Sequence, residues 1–211
     1  MSLPYVHSLN NATTINSLLY TDTSFIWESH GTNNGATPTR QVECHNFSTR
    51  AVQQGSVFVL SPIIEHELRN VALKELLKKH ARMLGCKPHE RKKIISNVPT
   101  IMQDVHSQVD NIMAILSADP NYVILGENAG QGLASQVSSK YNMDLNDSII
   151  LATMLSSEID SIVTLDGDYI EVTDKDLQIY TNEANYLKIL RDHPTKVANN
   201  ISNNSGSGNA S

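Results

Sequence analysis

Short apolar segments alternate with longer helix-like segments along the chain. The run that ends at Asp22 and residues 56–60, 121–125 and 161–166 are typical of strands, because they are short and rich in β-branched or aromatic residues. Residues 176–181 predict a further strand at an edge of the sheet. Strands that alternate with helices indicate a mainly parallel sheet covered on both faces, so the expected fold is a three-layer α/β/α sandwich.

The segments between these strands predict helices and loops. Ser61 is expected to cap a helix that begins at Pro62 and ends at Gly85, and the next helix is expected to bend near Pro99. Residues 31–39 have the composition of a loop. The predicted helices cover residues 39–54, 61–84, 88–116, 127–140 and 144–157, with a short helix that ends at Leu190.

The predicted domain covers residues 14–192, and its basic helical stretch, at about 69–119, is an insertion. Residues 1–13 are polar and expected to be loose. Residues 199–211, which read NNISNNSGSGNAS, lack the apolar content to order themselves and predict a disordered tail. A length of 211 residues with 40% hydrophobic content suits one α/β domain with a sizeable core.

Composition also indicates where the protein works. Cys44 and Cys86 lack C-x-x-C spacing, which predicts reduced thiols rather than a disulfide framework or a zinc site. The N-terminus has no basic region followed by an apolar run, and no apolar stretch approaches the roughly 20 residues that span a bilayer. We therefore expect a soluble, cytoplasmic protein without membrane association.

Charge is distributed unevenly around a net value of −6. Residues 69–93 hold nine basic and two acidic residues, a formal charge of +7, while the rest of the chain holds seven basic and twenty acidic residues, a charge of −13. A basic patch on an acidic body fits a protein that grips a phosphate backbone, although a solvated helix face explains the same charges. The candidate RNA contacts are Lys78, Lys79, Arg82, Arg91, Lys92 and Lys93.

Four acidic residues are predicted to meet at one edge of the sheet. Asp22 and Asp166 end strands, Glu67 lies in the first turns of the helix after the second strand, and Asp147 opens an apolar helix. The carboxyl ends of parallel strands border the working site, so these side chains are expected to converge there. Crowded carboxylates repel one another until a hard cation binds, and an all-oxygen ligand set favours Mg²⁺ or Mn²⁺. Asp168 is expected to be an auxiliary ligand.

A divalent cation in such a site suits the hydrolysis of phosphodiester bonds. It lowers the pKa of a bound water and neutralises charge that develops on the phosphate oxygens. The sequence leaves open whether one or two ions bind.

Simpler roles compete at two of these positions. Glu65 competes with Glu67, but residues two apart on a helix point to different faces, so only one of them should reach the site. Glu67 is the expected ligand, and Glu65 is expected to interact favourably with the dipole at the start of the helix. Asp144, three residues earlier on the same helix face, competes with Asp147. Either residue can cap the apolar helix, as can Asn146, and Asp147 is favoured as the ligand.

Asp22 itself can be a turn cap instead of a ligand. Thr23 and Ser24, directly after it, are expected to hydrogen-bond a ligand water or phosphate, or to be turn hydroxyls. Thr164 is expected to be a supporting hydrogen-bond donor beside the site.

The segments around these acids resemble the PIN-domain family. The Asp22 segment LLYTDTSFIWE resembles the first PIN strand, and VFVLSPIIEHELRN resembles the second strand and its helix, with Glu67 as the acid. The run YNMDLNDSIILATML resembles the Asp-led apolar helix, giving Asp147, and SIVTLDGDYIEV resembles the closing strand, giving Asp166. The four motifs occur in family order over residues 17–181.

The resemblance implies a magnesium-dependent ribonuclease, as in VapC-type toxins and RNA-processing nucleases. It also implies RNA as the substrate, makes a homodimer common, and leaves open a toxin–antitoxin role with an antitoxin-like partner. The stretch after Glu67 is longer and more basic than in compact toxins.

A catalytically inactive PIN-like module that binds RNA or protein is the alternative. A haloacid-dehalogenase-like phosphatase would need D-x-D where this chain has Asp22-Thr23-Ser24.

Overall fold

Six strands form one parallel sheet in the computed structural model, which describes residues 5–31, 38–172 and 176–194. The order across the sheet is β1-β6-β5-β2-β3-β4, and every neighbouring pair is parallel. The predicted three-layer α/β/α fold with a parallel sheet is therefore confirmed. The strands are β1 (Tyr5–Ser8), β2 (Leu18–Thr21), β3 (Val57–Leu60), β4 (Tyr122–Ile124), β5 (Ser161–Val163) and β6 (Gln178–Thr181).

Helices cover both faces of this sheet. Two 3₁₀ turns, at Gln131–Leu133 and Asp168–Glu171, interrupt the connections. The predicted insertion at 69–119 forms the later part of α3, with α4 and α5, and α3 packs against α5. The helices are α1 (Thr23–His30), α2 (Pro38–Gln53), α3 (Ile63–Leu84), α4 (Arg91–Asn97), α5 (Ile101–Ala118), α6 (Ala134–Tyr141), α7 (Leu145–Ser156) and α8 (Glu183–Asp192).

Two apolar clusters hold these layers together. Successive strand residues point to opposite faces, so Leu19 and Phe58 pack with Phe47 of α2, whereas Tyr20 and Val59 belong to the other cluster. That second cluster contains buried residues of α3, α5 and α7. Both faces of the central strands are consequently buried, which explains why these strands are apolar throughout.

The chain changes direction at the centre of the sheet. After β2 it builds β3 and β4 outward on one side, and it then returns to place β5 directly beside β2. The carboxyl ends of β2 and β5 therefore border a topological switch point, where doubly wound sheets leave a crevice. The segments after both strands carry predicted acids.

The prediction that residues 1–13 are loose is wrong for the described part of that segment, which begins at residue 5. Residues 5–8 form strand β1, which pairs with β6 from Tyr5↔Gln178 to Ser8↔Thr181, so the sheet begins before residue 14. The prediction of an edge strand at 176–181 is wrong for the same reason, because β1 covers the outer side of β6. Burial of Val6 against distant parts of the chain stabilises β1, and such contacts leave no local pattern.

Several element boundaries also differ from the predictions. The bend at Pro99 is a break between α4 and α5, β5 stops at Val163, and the helix predicted from 127 begins as a 3₁₀ turn at Gln131. Ser61 makes no cap, because Pro62 takes that position and the Ser61 hydroxyl bonds Tyr20 instead.

Other predictions fall partly or wholly outside the described residues. These are the tail at 199–211, part of the loop at 31–39 and residues 1–4. Cys44 and Cys86 are both free. Within the described ranges, every helix is too short or too polar to cross a bilayer.

Gly130 provides a test of the packing between its loop and α7. Its φ is 76°, and a Cβ atom there would lie 2.2 Å from Ser156 Oγ and 2.6 Å from the Ala152 carbonyl oxygen. We expect Gly130→Ala to lower the free energy of unfolding by about 2 kcal/mol, because a left-handed backbone and a steric clash act together. Urea denaturation measures this change.

Gly132→Ala is the matched control, since a Cβ atom there meets nothing within 4 Å. Its expected effect is within about 0.5 kcal/mol of wild type. Equal losses in the two variants would contradict the close approach of residue 130 to α7.

Candidate functional site

Asp22 lies at the centre of the candidate site. It directly follows β2, caps α1 and is 6% exposed. Its Oδ1 accepts a hydrogen bond from the Thr23 backbone N–H at 2.7 Å. Its Oδ2 accepts from Ser24 Oγ at 2.5 Å and from Thr164 Oγ1 at 2.7 Å. Asp22 thus caps helix α1, and its side chain is also the hydrogen-bond acceptor at the centre of a buried network.

The same network ties β2 to the segment after β5. The Asp22 backbone N–H donates to the Val163 carbonyl at 3.0 Å, and the Leu165 N–H donates to Ser24 Oγ at 2.9 Å. Thr164 Oγ1 accepts from the Asp166 N–H at 3.0 Å. The Ser24 and Thr164 hydroxyls therefore both donate to Asp22 and accept a backbone N–H, so they fix the two strand ends relative to each other.

Glu67 approaches this network from α3. The Thr23 hydroxyl donates a short hydrogen bond to Glu67 Oε2. Glu65 points elsewhere and accepts from Arg69 at 2.5 Å. The structure therefore brings Glu67, and not Glu65, to the loop that holds Asp22.

Asp147 lies in the first turn of α7. Asp144 caps this helix by accepting from the Asp147 backbone N–H at 2.9 Å, which leaves the Asp147 side chain available for other contacts. The Tyr169 hydroxyl donates to Asp147 Oδ1 at 3.2 Å. The side chain of Asp147 is thus held by a buried residue from the 3₁₀ turn after β5.

Asp166 and Asp168 lie at the exposed rim. Because β5 ends at Val163, Asp166 occupies a turn three residues beyond the strand, where its Oδ1 accepts from the Gly167 N–H at 2.6 Å. Asp168 begins the 3₁₀ turn. Both line an open cavity of about 430 Å³ that extends toward α8.

Burial raises the pKa of the inner carboxyl groups. For Asp22, burial raises the pKa, hydrogen bonds from Ser24, Thr164 and Thr23 lower it, and the charge of Asp166 raises it again. Burial is also the largest cause at Glu67, whose pKa is raised to about 7 with contributions from the charges of Asp22 and Asp144.

Asp147 is perturbed further. Burial raises its pKa to about 8, helped by the charges of Asp144, Asp22 and Asp166, while the Tyr169 hydrogen bond lowers it. The pKa of Asp168 is raised chiefly by the charge of Asp166. These mutual effects put the acids in one electrostatic neighbourhood, where each carboxylate disfavours ionisation of others.

The residue types at the site suit a divalent cation, but their side chains are not arranged as a complete set of metal ligands. The available donors are carboxylate and hydroxyl oxygens, which Mg²⁺ and Mn²⁺ prefer. Within residues 5–31, 38–172 and 176–194, however, no three His, Cys, Asp or Glu side chains are placed to hold a metal ion together. The acids share a region of negative potential without closing around a common point.

The sequence analysis missed two tyrosines and underrated one acid. Tyr169 occurs in the segment DGDYIEV, which was used for its acids alone, and Tyr20 bonds Ser61 at 2.5 Å beneath the site. Burial raises the pKa of both phenols, so they stay protonated and can donate. Asp144, treated as a cap, also raises the pKa of Glu67 and of Asp147.

The predicted RNA contacts lie apart from the acids. Three are in the second half of α3 and three are at the start of α4. Lys78 is eleven residues beyond Glu67, about 16 Å along the helix axis. Lys78 pairs with Glu75 at 2.6 Å, and Lys93 lies 3.7 Å from Glu90. The structure therefore separates a basic region on α3 and α4 from the acidic edge of the sheet.

Comparison with known protein families and with curated proteins yields no match for this chain. The PIN-domain resemblance accordingly remains a prediction from the four motifs. Any function has to be argued from the residues of the site itself.

Asp147→Asn tests the electrostatic strain in the metal-free protein. Between pH 3.8 and about 8 the folded protein retains a proton on Asp147 that the unfolded chain has released, so this group lowers stability as pH rises through that interval. The asparagine oxygen can still accept from Tyr169. Because Asp147 is partly exposed, solvent screening weakens the effect, and we expect the variant to gain about 1 to 2 kcal/mol of unfolding free energy relative to wild type between pH 5 and pH 8.5.

Urea denaturation in EDTA at the two pH values measures this gain. Asp110→Asn, on the exposed side of α5, is the control and should follow wild type at both. An Asp147→Asn advantage that stays constant or shrinks toward pH 8.5 would show that Asp147 is not strained by its neighbours.

Proposed function

We propose that this protein is an endoribonuclease that uses Mg²⁺ or Mn²⁺ to hydrolyse RNA phosphodiester bonds. Asp22, Glu67, Asp147 and Asp166 would hold the cation, with Asp168 as an auxiliary ligand. The observation that carries the proposal is the mutual perturbation of acids from four separate parts of the chain at the switch point of the sheet. Such a cluster costs stability unless it serves a bound cation.

The cation would supply a water of lowered pKa and would neutralise charge on the phosphate. Asp22 suits the inner ligand position because its carboxylate has about four acceptor sites and three are occupied by Thr23, Ser24 and Thr164. The remaining site keeps a fixed direction, since all three donors belong to rigid strand ends and the start of a helix.

Glu67 and Asp147 would adjust to the ligand. With pKa values of about 7 and about 8, both exchange protons near neutral pH in the metal-free protein. Cation binding would displace those protons, so affinity for the cation should increase with pH over this range. Tyr169 would keep Asp147 oriented by its hydrogen bond in either protonation state.

Membership of the PIN-domain family is part of this proposal. It is supported by the four motifs in order and by the three-layer parallel fold. The preference for RNA, a homodimer and an antitoxin-like partner follow from the resemblance, whereas a cytoplasmic location follows from the cysteines that are expected to be reduced.

One observation favours the alternative of a catalytically inactive module that binds RNA or protein. Among the described residues the acids do not close into a three-ligand set. Metal binding separates the two functions, because an active site must gain stability from the cation and an inactive module need not.

Asp22→Asn should abolish metal-dependent RNA cleavage. Wild-type protein incubated with a mixed RNA pool is expected to cleave it with Mg²⁺ or Mn²⁺ and not with EDTA, and the variant should lose at least about a hundredfold in rate. Asp110→Asn removes an exposed carboxylate that is not among the proposed ligands and should cleave like wild type. Circular dichroism melts establish that both variants are folded; cleavage retained by Asp22→Asn would remove Asp22 from its assigned role.

Mn²⁺ should also raise the melting temperature of the wild-type protein. A cation at 100 times its Kd adds about 2.7 kcal/mol to the unfolding free energy, and Asp22→Asn should lose most of this gain. A melting temperature that does not change with Mn²⁺ or Mg²⁺ at concentrations up to about 10 mM would favour the inactive module.

A further inference from the structure

An open groove of about 360 Å³ lies between the second half of α3 and the segment that leads into α4. Its lining carries positive charge and apolar surface, and within the described part of the chain it includes no Asp or Glu. The lining residues that matter for binding are Lys74, Lys78, His89, Arg91, Leu73 and Leu77.

The groove contrasts with the cavity beside the acidic site. That cavity is lined by four carboxylates and by the single ammonium group of Lys188 among its described residues, so it disfavours an anion. The groove on α3 has the opposite balance. Two openings of opposite charge on one protein indicate different ligands, and an anion suits the groove.

The groove also shares a helix face with a residue of the proposed active site. Glu67, Lys74 and Lys78 are separated by seven and then four residues, which places them on one stripe of α3. Lys74 lies about 10 Å and Lys78 about 16 Å from Glu67 along the axis. A ligand that reaches both regions must therefore be extended.

We propose that the groove binds the sugar–phosphate backbone of an RNA strand that is held at the acidic site. This inference rests on the proposed function, because the strand would be the one held there. Lys74 and Lys78 are about 6 Å apart along the helix, comparable to the separation of successive phosphates in an extended strand. Leu73, which is only partly buried, gives ribose and base an apolar surface, with the largely buried Leu77 beside it in the lining.

Helix electrostatics do not account for this placement. A favourable interaction with the helix dipole explains basic residues in the last turn of α3, such as Arg82, but Lys74 and Lys78 lie two to three turns and one to two turns before its end. The pair between Lys78 and Glu75 is partly exposed, and exposed pairs contribute little. A phosphate can therefore replace Glu75 as the partner of Lys78.

Binding measured without cleavage tests the groove on its own. The full chain carrying Asp22→Asn, in EDTA, is titrated against a fluorescein-labelled single-stranded RNA of about twelve nucleotides, and anisotropy is followed at several salt concentrations. Adding Lys74→Gln, Lys78→Gln and Arg91→Gln together should weaken binding at least about tenfold at low salt. A plot of log affinity against log salt concentration has a negative slope, and the steepness of this slope should decrease by about 2. Each lost phosphate contact on a single strand makes the slope shallower by about 0.7.

Arg191→Gln is the control for loss of an exposed charge, because Arg191 lies on α8 and pairs with the adjacent Asp192. It should leave both affinity and slope unchanged. Unchanged binding by the triple variant, or no RNA binding by the parent protein, overturns the proposal. Equal binding of a polyglutamate with the same number of charges overturns it too, because the groove would then select acidic peptides as readily as RNA.

The outcomes separate this inference from the proposed nuclease. Groove-dependent RNA binding without metal-dependent cleavage by wild type would reject the nuclease function and keep the groove as an RNA surface. Cleavage by wild type together with unchanged binding in the triple variant would keep the nuclease and reject the groove.

Discussion

The arrangement of the candidate site depends on the hydrogen bonds that converge on the Asp22 carboxylate. Donors from the start of α1 and from the segment after β5 meet on its two oxygens, so two stretches about 140 residues apart are fixed to one group. The Ser24 and Thr164 hydroxyls each also accept a hydrogen bond from a backbone N–H of that segment. Both hydroxyls therefore connect the Asp22 carboxyl group to the backbone after β5. The geometry of the carboxyl edge therefore follows from satisfying the oxygens of one buried carboxyl group.

Two further acids near Asp22, Glu67 and Asp147, are held by fewer hydrogen bonds. Glu67 and Asp147 each receive a hydroxyl hydrogen bond, but neither has the three donors that hold Asp22. Burial and mutual repulsion raise their pKa values to about 7 and about 8. The site thus combines one carboxyl group held by three hydrogen bonds with two acids held by fewer, an arrangement in which a ligand, rather than the fold, determines the final charge state.

Much of this could be predicted from the sequence, because the signals are local. Apolar runs that alternate with helical segments predict the parallel sheet, and the position of an acid directly after a strand predicts that Asp22 lies at the carboxyl edge of that sheet. The parts that were missed depend on distant contacts: β1 is stabilised by pairing with β6, and Tyr169 reaches Asp147 only because the 3₁₀ turn folds over α7. The dual role of Asp144 was missed because a capping pattern says nothing about which charges lie nearby in space.

The pairing of β1 with β6 has a consequence for how the chain is made. Residues 5–8 are synthesised about 170 residues before residues 178–181, their partners in the sheet. While the intervening residues are being made, Val6 and the hydrogen-bonding groups of β1 lack the neighbours that bury and pair them. This long sequence separation implies that the pairing of β1 with β6 forms late in folding, because contacts distant in sequence cost the most chain entropy to close.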